Sequence, residues 1–119
     1  MTFQSRSLDT PDETRKFANG ELGVVTISDA IVGRAVFQPG WQWSNDVKPI
    51  AGTESCQAAH TGYIISGRMH VKMDDGTEGD LGPGDAFVIS PGHDAWIVGD
   101  EACVALDWSA AKEYAKSAE

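Results

Sequence analysis

A chain of 119 residues has room for one domain, and 41% apolar with 23% charged content belongs to a folded chain rather than a disordered one. Eighteen acidic against nine basic residues leave a net charge of −9, which repels nucleic-acid phosphates and anionic membrane surfaces. No apolar run approaches the roughly 18 residues of a membrane helix, and MTFQSRSLDTPDETRKF has no apolar leader core, so a cytoplasmic location is expected.

Residues 1–22 read as a polar N-terminal extension. Thr10-Pro11 and Asn19-Gly20 mark turns, and Pro11 suits the first position of a short helical turn over PDETRKF. From Gly23 the texture changes. Short apolar or alternating runs (ELGVVTI, IVGRAVF, GWQWS, GYIIS, MHVKM, AFVI, AWIV, CVALDW) are separated by Pro39-Gly40, Asp75-Gly76, Pro83-Gly84, Pro91-Gly92 and Gly99-Asp100. Many short strands at even spacing predict an all-β sandwich or barrel over residues 23–108.

Trp41 and Trp43 alternate, which on a strand sends both to one face. There they line an apolar pocket that grips a ring or chain, or they simply pack the core. The following stretch, SNDVKPIAGT, carrying Asp46 and Lys48, reads as a solvated surface loop or as a loop that covers the pocket mouth. Met69, Val71 and Met73 alternate with Arg68, His70 and Lys72, so His70 faces away from the core. Asp74-Asp75-Gly76 is a hairpin turn, and Phe87-Val88-Ile89 a short buried run ending near Pro91. Trp96 and Trp108 are expected to pack. Cys103, inside ACVALDW, reads as a small buried hydrophobe, and a reducing compartment keeps it apart from Cys56. Residues 109–119, SAAKEYAKSAE, are rich in helix formers and predict a short C-terminal helix capped near Ser109. The chain has no glycine-rich phosphate loop, no HExxH and no Ser-His-Asp order.

The run GYIISGRMHVKMDDGTEGDLGPGDAFVISPGHDAW resembles the core of the cupin superfamily. Gly67 fits the glycine that ends the first cupin motif. Pro83-Gly84-Asp85 opens the second motif, and Pro91-Gly92 falls in its second half. The resemblance spans roughly residues 33–108. It implies a small double-sheet β-barrel with a pocket between the sheets, often as a homodimer. The family's metal ligands are replaced here. Seven positions before Gly67 stands His60, where a typical cupin has Glu; Cys56 and Glu54 occupy the places of its two histidines. The second-motif histidine falls on Ala95, with His93 two residues earlier.

His60, Cys56, His93 and Glu54 are therefore the candidate metal ligands, with His60 the candidate catalytic residue. A straight strand would hold Cys56 and His60 about 13 Å apart, so a shared site requires a turn through Gln57-Ala58-Ala59. Cys and His with one carboxylate suit zinc better than iron or manganese. The alternative roles are a buried His60 satisfied by backbone, Thr61 or Tyr63, and a His93 that shapes the turn before Trp96. Three functions compete: a pocket protein that binds a small, partly apolar molecule with or without a divalent metal; a metal-dependent lyase, isomerase, hydrolase or oxygenase; and a dimeric sensory or interaction module. Nucleic-acid and membrane partners are not expected.

Overall fold

The computed structural model describes residues 3–108. The described residues form nine strands and two single helical turns: β1 (Glu13–Phe17), β2 (Gly20–Ile27), β3 (Ala30–Phe37), α1 (Trp43–Asp46), α2 (Lys48–Ala51), β4 (His60–Ser66), β5 (Met69–Met73), β6 (Glu78–Leu81), β7 (Ala86–Ile89), β8 (His93–Ile97) and β9 (Cys103–Asp107). Two antiparallel sheets face each other. One has six strands in the order β1-β2-β3-β9-β4-β7, the other three in the order β6-β5-β8. The all-β double-sheet barrel is thus present. The expected C-terminal helix lies outside the described residues.

Period-two alternation decides which side chains enter the core. Leu22 and Val24 of β2, Ala35 and Phe37 of β3, Ile64 of β4, Met69 and Val71 of β5, Ala95 and Ile97 of β8, and Cys103 and Ala105 of β9 are all buried. Both cysteines are buried and unlinked, and Cys103 is the apolar filler its neighbours suggested.

Four local expectations are corrected. Residues 13–17 are a strand, not a helical turn. Strand β1 finds a full partner in β2, from Glu13 against Val24 to Phe17 against Gly20, and that pairing outweighs the helix-start signal of Pro11. Val88 is 77% exposed, because β7 is an edge strand whose alternation turns Ile89 in and Val88 out. Trp108, beyond the end of β9, is half exposed instead of packed. The stretch after Trp43 is not an open loop: it closes into α1 and α2 and buries Val47.

The turn framework has direct physical reasons. Gly67 takes φ +78°, and a Cβ there would lie 2.4 Å from the Ala102 carbonyl oxygen, so the β4–β5 corner demands glycine twice over. Asp85 secures the next corner, its carboxylate accepting the Gly82 N–H at 2.7 Å. At Asp74–Gly76, Gly76 donates its N–H to the Met73 carbonyl at 3.0 Å and the Asp75 carboxylate accepts from Thr77 N–H at 2.9 Å.

Candidate functional site

Cys56, His60 and His93 converge between the sheets. Their ligand atoms all lie within 4.8 Å of one another. His60 opens β4 on the six-stranded sheet, paired with Ile89 of β7. His93 opens β8 on the three-stranded sheet, paired with Met73 of β5. Cys56 extends the smaller sheet by a lone bridge to His93, donating its N–H to the His93 carbonyl at 2.8 Å. Residues 57–59 then carry the chain across to His60, the turn a shared site requires.

The two imidazoles are oriented by their far nitrogens. His93 Nδ1 donates to the Ser90 carbonyl at 2.9 Å, which leaves Nε2 as the ring nitrogen for the Cys56 side. His60 Nδ1 stands 2.5 Å from Asp107 Oδ2, and its Nε2 lies 3.7 Å from Cys56 Sγ. The rings of His60 and His93 meet edge to face with centroids 5.2 Å apart. The Nε2 atoms of two imidazoles and one sulfur, with a carboxylate behind one histidine, form a donor set that fits a divalent transition metal.

The electrostatics follow from this contact chain. Burial disfavours the Cys56 thiolate, but hydrogen bonds from His60 and His93 and their charge outweigh it and bring the thiol down to about 6. Burial also disfavours the His60 imidazolium; the hydrogen bonds to Asp107 and Cys56 prevail and raise it to about 9. Cys103 has no such partners among the described residues: burial and the charge of Glu101 push it up to about 11.

A cavity of about 50 Å³ opens beside these groups. Its wall is mostly apolar, with Leu22, Ala35, Phe37, Trp41, Trp43, Met69, Phe87, Ile89, Ala95 and Ala105 around His60, His93 and Asp107. Both predicted tryptophans are there, each 2% exposed, though not as neighbours on one strand. Trp41 follows the turn at Gly40 (φ +92°), and Trp43 starts α1. Asp94 holds that helical turn against β8: its carboxylate accepts Ser44 N–H at 3.1 Å and Gln42 Nε2–H at 3.0 Å.

Glu54 is not brought to the group. Its side chain is 98% exposed and pairs with Lys48 at 3.1 Å. Asp107 takes the role of the site's carboxylate, behind His60, and sequence reading missed it. A signal existed: Asp107 shares the parity of Cys103 and Ala105, so an acid stands at an inward position of an apolar strand. His70 stays outside the core, as its alternation predicted, held at 2.7 Å by both Asp80 and Glu78 and stacked on Trp96.

A family model, the EutQ-like cupin domain, matches residues 35–116. No curated protein matches the chain by sequence. Among solved structures, a sugar phosphate isomerase of the cupin superfamily from Silicibacter pomeroyi aligns with TM-score 0.62 and 16% identity, over 88% of this chain and 74% of that one. KdgF from Halomonas sp. aligns with TM-score 0.53 and 22% identity, over 77% and 82%. An uncharacterized conserved protein with a double-stranded β-helix domain from Klebsiella pneumoniae aligns with TM-score 0.58 and 21% identity, over 93% and 87%. At these identities the likeness shows a shared fold.

Proposed function

This chain belongs to the EutQ-like cupin domain family, and from that premise we propose that it binds a small molecule between its sheets, beside a divalent metal held by Cys56, His60 and His93. The observation that carries this reading is the convergence of three donor atoms within 4.8 Å at the wall of an apolar cavity. The set differs from the usual ligands of the fold, and its chemistry supports zinc. One thiolate and two imidazoles are borderline-soft donors that favour zinc over the harder iron or manganese ions. Glu54 has no part in it.

Three protein ligands leave a tetrahedral ion one open position, the arrangement of zinc sites that do chemistry. That feature supports a second reading, a metal-dependent enzyme. When bound, the ion would supply Lewis acidity toward a ligand oxygen. The chain's own residues would do the rest. Asp107 would hold the His60 ring with Nε2 on the Cys56 side, and the tryptophans would exclude water from the apolar side. The isomerase likeness adds nothing to this choice, since 16% identity carries only the fold.

The test is elemental mass spectrometry on protein made without a histidine tag. Close to one zinc per chain is expected, lost in Cys56→Ala and His60→Ala variants that keep their β circular dichroism. Protein that takes up no metal after incubation with zinc, manganese and iron would end the metal reading. The cavity would then have to be assigned from its tryptophans and His60 alone.

A further inference from the structure

Trp41 Nε1 is the buried side-chain nitrogen or oxygen that finds no hydrogen-bond partner among the described residues. Native interiors seldom leave such a donor unmatched, because its water is lost and nothing replaces it. Trp41 is 2% exposed and lines the cavity beside His60 and His93. Phenylalanine would fill the same apolar wall without an unmatched N–H; indeed Phe37 packs on Trp41 with ring centroids 4.2 Å apart. An indole at this place is useful if an acceptor arrives with the ligand.

The wall decides what kind of acceptor. Among the described residues no lysine or arginine lines the cavity, and apart from His60, His93 and Asp107 its lining is apolar. The whole chain, at −9, adds a further repulsion for anions. A carboxylate or phosphate would therefore lose its hydration for little return. A neutral carbonyl oxygen loses less and accepts the indole N–H equally well.

We infer that the cavity takes a small, uncharged carbonyl compound (a ketone, aldehyde or amide with a short apolar body) whose oxygen accepts a hydrogen bond from Trp41 Nε1. This rests on the proposed small-molecule function and names its ligand class and the residue that selects it.

Acetone and acetate are suitable probes, since they share a shape and differ in charge. The indole region of a ¹H–¹⁵N spectrum reports the four tryptophans separately, and Trp41→Phe identifies the relevant peak by its loss. Acetone is expected to move the Trp41 Nε1–H resonance downfield and saturably, in zinc-loaded and metal-free protein alike, while equal concentrations of acetate leave it in place. Read on a Met69 methyl resonance, Trp41→Phe should weaken acetone binding about tenfold, the size of one hydrogen bond. Acetate binding more tightly than acetone would overturn the inference. So would an acetone response that bypasses Trp41, or equal affinity in the variant. Absent zinc uptake with the acetone response intact would sink the metal reading alone; zinc uptake without that response would sink this inference alone.

Discussion

Asp107 Oδ2 stands 2.5 Å from His60 Nδ1, although 47 residues separate the two in the chain. The contact exists because β9 pairs directly with β4, placing Asp107 opposite Gly62, two residues from His60 on the same inward face. Asp107 thereby settles which His60 nitrogen carries the proton and which faces Cys56 and His93.

Replacing Asp107 with Asn should accordingly weaken zinc binding about 10- to 100-fold without removing a ligand. Competition against a chromophoric chelator would measure it. Unchanged affinity would mean that the ring of His60 is oriented by packing alone.

The same contacts set the pH response of the metal-free protein. Ultraviolet thiolate absorbance should rise with a midpoint near 6 for Cys56, well separated from Cys103 at about 11. His60→Gln removes a hydrogen bond and a charge that favour the thiolate, so the first midpoint should move upward. A single late step in the parent protein would contradict the Cys56–His60 pairing.

Stability follows from the opposite signs of the two shifts. The contribution of Cys56, whose ordinary value is 9.0, is present above that pH and is lost as pH falls through about 6. The contribution of His60, ordinarily 6.5, is present below that pH and is lost as pH rises through about 9. Between 6.5 and 9 the slopes oppose each other, and urea-denaturation stability should be nearly flat. Cys56→Ser leaves the His60 slope uncompensated through its Asp107 contact, so that variant should lose stability as pH rises through the same window. A variant whose profile stays flat would show that the two groups are not the titrating pair.

Gly62 is held by close approach, not by backbone conformation. A Cβ there would lie 2.0 Å from the Leu106 carbonyl oxygen and 2.8 Å from Phe87 Cζ. Gly62→Ala should destabilise the fold by at least roughly 3 kcal/mol, the upper end of ordinary overpacking, because a backbone oxygen cannot yield as a side chain can. It should also spread β4 from β9 at the level of Asp107, so metal affinity should fall with stability. Urea denaturation reads the first effect and chelator competition the second; a variant as stable as the parent would contradict the tight β4–β9 register.

Glu54→Gln supplies the contrasting case. Its carboxylate is solvated and its ion pair with Lys48 is exposed, worth at most about 1 kcal/mol. Metal occupancy should be unchanged and stability nearly so. A loss of bound metal would place Glu54 in the site after all.

Local patterns carried much of this protein's architecture in its sequence. Alternation in Met69–Met73, the turn at Asp74–Gly76 and the Gly67 and Pro83–Asp85 corners depend on neighbouring residues and steric rules, so they could be read before any fold was known. Alternation singled out both tryptophans, and the resemblance to the cupin motifs, counted from Gly67, singled out His60, Cys56 and His93. Pairing decided the rest. Residues 13–17 became a strand because β2 offered them a ladder, against their own helix-start signal. Asp107, and not Glu54, is the carboxylate beside His60, because a carboxylate joins a site according to which strand faces place it there. Glu54 lies on an exposed bend; Asp107 is carried inward by β9 and set beside β4. The unmatched N–H of Trp41 belongs to the same class: a donor is unpartnered only with respect to everything folded around it, and that is a property of the assembled barrel.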